Sequence, residues 1–244
     1  MSKCFAVYSR ELIILRRKFW RQLASMSVSP LLYLIAFGFG LGKEISVNDR
    51  PYLEFLIPGL VAMGSMVYAF GIATEINVAR FYWKIFEEFQ TAPISNIAYV
   101  TGEVLAGITR ALISVTIIIL MGMFSGVSLN YGVLFWMAVL TNAFLFSSLA
   151  VGLAMIVKSH ADQGLLSSFL ITPMAFLGGT FFPVDQMPAV VQKLLYFIPL
   201  THASKVLRAA AYGEDTSGVS WLILLGLCVA FFVFAVGAVN RARD

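Results

Sequence analysis

Six stretches of this chain are almost wholly apolar, and short polar runs separate them. They cover about residues 26–42, 53–74, 100–124, 133–157, 164–182 and 219–240. Each approaches the roughly 20 residues that an α-helix needs to cross about 30 Å of hydrocarbon. A backbone in lipid must satisfy its own hydrogen bonds, so the runs are expected to be helices rather than open strands. The pattern predicts an all-α membrane protein of six transmembrane helices, built as a single domain over residues 1–244.

Three segments outside the spans also keep a helical rhythm. In residues 1–24, Phe5, Leu12, Leu15, Phe19 and Leu23 form a loose apolar side against Lys3, Arg10, Arg16, Arg17, Lys18 and Arg21. That arrangement predicts an amphipathic interfacial helix with its cations among anionic headgroups; a basic flank that sets topology fits as well. The same charges interrupt the apolar core that a cleavable signal peptide requires. Between spans two and three, Phe81, Tyr82, Ile85, Phe86 and Phe89 oppose Arg80, Lys84, Glu87, Glu88 and Thr91, and Pro93 stops the helix. Such a short helix suits lipid or intramolecular packing, or a groove on a soluble partner. Between spans five and six, residues 189–198 and 201–212 read as two short helices separated by Pro199, with Thr201 as N-cap and Gly213 as stop. At about ten residues each they cannot cross a bilayer, so they are expected to be re-entrant or interfacial on the outer side.

Composition sharpens the class. Hydrophobic residues make up 59% and charged residues 12%, with mean hydropathy +0.86; a soluble domain carries about 25% charge. The net charge of +4 is spread along the flanks of the spans and forms no basic patch, which argues against a nucleic-acid partner. Placing the N-terminus in the cytoplasm puts its six basic residues there, together with Arg80, Lys84, Lys158, Arg241 and Arg243. Six spans then return the C-terminus to the same side, so both termini are expected to be cytoplasmic. Cys4, Cys228, His160 and His202 are isolated in sequence and read as structural residues, with no metal site among them.

The candidate chemistry is sparse. Gly38 to Lys43 superficially resembles a phosphate loop. A Walker A motif needs a glycine where Phe37 stands and Ser or Thr where Glu44 stands, so the chain is expected to bind no ATP itself. The spacings Gly38-x-x-x-Gly42 and Gly122-x-x-x-Gly126 suit close helix packing. Arg110 lies within the third span, where an arginine is penalised by roughly 2.5–3.5 kcal/mol on insertion scales. Glu103, two turns earlier, and Glu75, at the inner end of span two, are its candidate partners. It is either part of a polar pathway for an anionic or glycosylated solute, or one side of an ion pair that seals the bundle. No catalytic constellation is present: neither HExxH nor GxSxG occurs, and no intramembrane acid pair. The spans also lack the mid-membrane acidic residues that a proton-driven carrier uses.

The run from Phe86 to Glu103 (Phe-Glu-Glu-Phe-Gln-Thr-Ala-Pro-Ile-Ser-Asn-Ile-Ala-Tyr-Val-Thr-Gly-Glu) and the residues Pro58 to Ala62 resemble the permease subunits of type-2 (ABC-2) ABC exporters. So does Ile171 to Leu200, with Gly-Gly-Thr-Phe-Phe-Pro-Val-Asp-Gln-Met-Pro at its centre. The Ser29-Pro-Leu-Leu-Tyr-Leu opening and the Gly38 glycine run are most similar to the nodulation protein J branch. The resemblance covers nearly the whole chain; one departure is Glu103, where Lys is usual. It implies a non-enzymatic subunit in a prokaryotic plasma (inner) membrane, without a cofactor of its own. A separate ATP-binding subunit would carry ATP and Mg, and the permease would pair with itself or with a sibling permease. Arg80, Lys84, Phe86, Glu87 and Glu88 then fall at the family's coupling helix, which contacts the ATPase. Met66, Phe70, Phe169, Met174 and Phe176 fall on spans two and five, which border the pathway in that family. The implied cargo is an amphiphile: a lipo-oligosaccharide, a lipid or a hydrophobic drug. An ATP-independent channel or ion-coupled carrier, or a membrane scaffold that transports nothing, are the rival readings.

Overall fold

The computed structural model describes residues 3–41, 45–47, 49–85 and 94–243. Helix α1 (Lys3–Arg17) breaks at Lys18 and is followed by α2 (Phe19–Tyr33), which continues through π-helical turns over Leu34–Leu41. The break lies ahead of the expected start of the first span. A small antiparallel hairpin, β1 (Ser46–Val47) and β2 (Arg50–Pro51), turns at Asp49 with a left-handed φ of 59°. Helices α3 (Tyr52–Phe70) and α4 (Ile72–Asn77) form one rod that ends in π-helical turns over Val78–Tyr82. Then come α5 (Asn96–Phe124) and α6 (Val133–Ile156). Helix α7 (His160–Leu166), a π-helical turn at Ser167–Ile171 and α8 (Thr172–Leu177) make a broken segment. Helices α9 (Ala189–Leu195) and α10 (Pro199–Tyr212) lead into the last, α11 (Gly218–Arg243).

Among the described residues, five helices are long and apolar enough to cross a membrane: Phe19–Gly40, Tyr52–Tyr82, Asn96–Phe124, Val133–Ile156 and Gly218–Ala242. The remaining expected span is the broken segment made of α7 and α8. His160, Asp162 and Gln163 occupy its first turn and Pro173 removes a backbone donor, so it falls short of the others in apolarity and continuity. The second rod runs to Tyr82, past the expected end of its span near residue 74. Neighbours engage its polar residues there: the Asn77 amide nitrogen donates to Gln163 Oε1 at 3.0 Å, and Glu75 meets Arg110.

Helix α3 is the centre of the subunit. It packs against α5, α6 and α10, and the residues from Phe55 to Met66 are buried on every side. All-round burial is why its sequence is apolar throughout, without an amphipathic period. Helix α11 packs chiefly on α6 and leaves Leu222, Leu225, Val229 and Val233 exposed, a face suited to lipid. Two glycines let α3 come close to its neighbours. A Cβ on Gly122 would lie 2.7 Å from Ile57 Cδ1, and one on Gly38 2.5 Å from Leu53 Cδ2. The second glycines of those two pairs act differently: Gly126 sits beyond the end of α5 with φ 81°, and Gly42 lies outside the described residues.

The segment between α8 and α11 is held by backbone contacts. Helix α10 starts at Pro199 rather than being capped by Thr201, because a first-turn proline lacks only an N–H that has no helical partner. It ends where expected, at Gly213 with φ 72°. Arg208 of α10 donates to Gly179 O at 2.9 Å and to Phe55 O at 3.3 Å, and lies 3.8 Å over the Phe55 ring. Tyr52 Oη donates to Phe181 O at 2.8 Å. The turn at 178–181, α10 and the start of α3 are therefore one packed unit.

Candidate functional site

Helix α1 carries a stripe at i, i+4, i+8 of Val7, Glu11 and Leu15, and this stripe is its buried face. It presses on the first half of α5, where Gly102 has no side chain to hold it off; a Cβ there would come within 2.7 Å of Val7 Cβ. Tyr8 Oη and Thr109 Oγ1 meet at 3.0 Å along the same contact. The docking brings a carboxylate, Glu11, into the interior next to Arg110 at the midpoint of α5.

The resulting cluster contains six charges. Arg110 Nη2 donates to Glu11 Oε2 at 3.1 Å, and its Nη1 to Glu75 Oε1 of α4 at 3.3 Å. Arg10 Nη2 bridges Glu11 and Glu103, the latter at 3.3 Å, and Lys18 Nζ stands 3.9 Å from Glu75 Oε2. Three cations face three carboxylates, so their formal charges cancel. Glu11, Glu103 and Arg110 are 1%, 0% and 5% exposed, which puts the innermost pairs out of reach of water. Burial alone would pull the Arg10 guanidinium down, yet the Glu103 and Glu11 carboxylates outweigh it and push it above its ordinary value. A buried ion pair adds little net stability over a well-packed apolar pair, but losing one partner strands the other. The cluster therefore fixes the position of α1 and α4 on α5 more than it deepens the fold. Both terminal nitrogens of Arg110 are engaged by carboxylates of this chain, as an internal clasp requires.

The other expected residues are dispersed. Arg80 ends the second rod, where it donates to Ala154 O of α6 and lies 5.1 Å from the centre of the Phe81 ring. Lys84 is exposed and left-handed, φ 53°, and interrupts the helical path between Trp83 and Ile85. Phe86, Glu87 and Glu88 lie outside the described residues. Met66 and Phe70 are buried in α3 inside the subunit, whereas Phe169 is 79% exposed. Met174 is half-buried. Phe176 stacks on Phe181 at 5.4 Å and meets the Tyr33 ring edge-on. His202 is a core residue, bonded to Tyr196 O at 2.8 Å and Ser220 Oγ at 3.3 Å.

Two polar positions were not foreseen. Glu11 hides in a segment whose basic residues dominate; the signal was a carboxylate four residues from Val7 and from Leu15. Asn142 is fully buried on α6 and donates to Ser65 Oγ at 2.6 Å and to Ala62 O at 3.0 Å of α3. No periodicity marks it, because α6 is apolar around its whole circumference.

Comparison with known proteins agrees with this architecture of long apolar helices. The ABC-2 type transporter family pattern matches residues 2–212, and the chain belongs to that family. It is 30% identical to nodulation protein J of Sinorhizobium fredii over 233 residues, 91% of this chain and 88% of the relative. Nodulation protein J of Azorhizobium caulinodans is 29% identical over 240 residues, covering 96% and 93%. The inner membrane transport permease YadH of Escherichia coli is 25% identical over 243 residues, covering 98% and 94%. The chain is thus a multi-pass membrane protein of a transport family whose permeases generally work with an ATP-binding subunit.

Proposed function

We propose that this chain is the membrane-spanning half of an ATP-driven exporter that moves an amphiphilic solute outward. In this reading the segment made of α7 and α8 completes a set of six spans in an inner membrane, both termini are cytoplasmic, and α9 and α10 form a re-entrant lid on the outer side. Two such chains, or this one and a sibling permease, enclose the route. A separate subunit binds ATP and Mg and contacts the segment that contains Phe86, Glu87 and Glu88. A lipo-oligosaccharide, a lipid or a hydrophobic drug suits a route bordered by Phe169, Met174 and Phe176.

The observation that carries the reading is the six-charge clasp. Glu75 lies on the same rod as Arg80, a few residues ahead of the segment assigned to the ATPase. A push on that segment reaches α5 through Glu75 and Arg110, and reaches α1 through Glu11. The exposed Phe5 and Leu12 on the free face of α1 let it ride in the bilayer surface while it moves. Closure of two ATPase subunits would then bias one of two arrangements of the helices.

Co-expression with the ATP-binding subunit encoded beside this chain tests the proposal. An active ATPase should be recovered in equal amount through a tag on this chain. It should be lost from a Glu87→Arg, Glu88→Arg variant that still inserts in the membrane. Absence of co-purification with a well-folded ATPase, together with solute flux in liposomes without ATP, would instead establish a channel or carrier.

A further inference from the structure

Helix α11 is 26 residues long, about 39 Å at 1.5 Å per residue, so it overshoots a hydrocarbon core of about 30 Å. Its polar last turn, with Asn240 and Arg241, would reach headgroup depth beside the end of α6 at Ile156. Between the two helix ends lies a cavity of about 360 Å³. Met155, Ile156, Phe234 and Ala238 give it apolar walls, Gly237 leaves its mouth open, and Arg241 stands at its polar end. Phe234 is seated tightly: a Cβ on Gly152 would come 2.4 Å from its ring. Gly237 meets nothing within 4 Å, so the cavity opens sideways, toward lipid.

The geometry points to a binding site for one anionic phospholipid. Its phosphate would rest on Arg241 and one acyl chain would run between α6 and α11 along Ile156 and Phe234. Charge complementarity selects this occupant. Arg241 is exposed and makes no hydrogen bond or ion pair among the described residues. The carbonyls at the end of α11 repel an anion, which leaves the guanidinium as the attracting group. The site is continuous with the bilayer through the exposed apolar face of α11, so the ligand arrives by lateral diffusion. Its described lining contains no residue of the clasp.

The test uses the full chain in vesicles of mixed phosphatidylethanolamine and phosphatidylglycerol, followed by mild extraction and native mass spectrometry of the retained lipid. The wild-type chain should retain phosphatidylglycerol in preference to phosphatidylethanolamine. Arg241→Gln should lower retained phosphatidylglycerol about fivefold, the effect of one basic side chain near an anionic surface. Gly237→Leu, whose Cβ meets nothing within 4 Å, places an apolar side chain at the mouth and should lower retention of both lipids. Arg17→Gln removes an exposed cation on α1, away from the cavity, and should lower phosphatidylglycerol retention less than Arg241→Gln does. Equal retention by wild type and Arg241→Gln, unaltered retention in Gly237→Leu, or an equal loss from Arg17→Gln would each overturn the site. The assay needs no ATPase, so its failure leaves the exporter reading untouched.

Discussion

Arg110→Met is expected to cost about 3–5 kcal/mol, because it strands the buried Glu11 and half-buried Glu75 carboxylates without their shared cation. That is a large part of the 5–15 kcal/mol that typically holds a domain together. The measurement is the thermal unfolding midpoint in detergent, with the fraction that elutes as a single species. The informative partner is the double variant Glu11→Gln, Arg110→Met. Once both are neutral, the remaining charges still pair off, Arg10 with Glu103 and Lys18 with Glu75. The double variant should therefore be more stable than Arg110→Met alone, a coupling that only direct contact produces. A single variant as stable as wild type, or a second substitution that simply adds its own loss, would mean that the clasp is not closed as described.

Gly59→Val should be nearly as damaging, through shape instead of charge. A Cβ on Gly59 would lie 2.4 Å from the Thr180 carbonyl oxygen and 3.0 Å from Thr180 Cα. Both are backbone atoms and cannot rotate away. The turn at 178–181 must lift off α3, and Arg208 then loses its bonds to Phe55 O and Gly179 O. Overpacking of this kind costs about 3 kcal/mol. Limited proteolysis within residues 183–198 should accelerate together with the fall in midpoint. Gly226→Ala is the control: a Cβ there meets nothing within 4 Å, and its midpoint should not move. If Gly59→Val unfolds like the control, the outer segment does not rest on α3.

The sequence was most legible where composition alone decides. Lipid imposes helix on any long apolar run, so the five helices that qualify as spans lie where the apolar stretches predict them. Boundaries were harder to read, since they depend on which polar residues find partners. The second rod absorbs Glu75, Asn77 and Arg80 because Arg110, Gln163 and Ala154 O await them. Arg110 was legible as a costly residue and Glu75 as its partner, whereas Glu103, the other candidate, pairs with Arg10 instead. Glu11 was not, because its importance arises from α1 docking on α5 at Gly102, a contact between residues far apart in the chain. The Gly-x-x-x-Gly spacings were half informative: Gly122 packs as that pattern predicts, whereas Gly126 serves the turn after the helix.

The clasp also has an order in time. A ribosome delivers α1 first, then α4, then α5, so Glu11 and Glu75 are already in place when Arg110 emerges. An arginine that enters the bilayer by itself faces a penalty of roughly 2.5–3.5 kcal/mol on insertion scales. Here it leaves the translocon toward two waiting anions, and the chain needs no later segment to neutralise it. Had α5 been encoded ahead of α1, the same six charges would sum to zero in the finished protein yet leave its assembly with an unshielded cation in lipid.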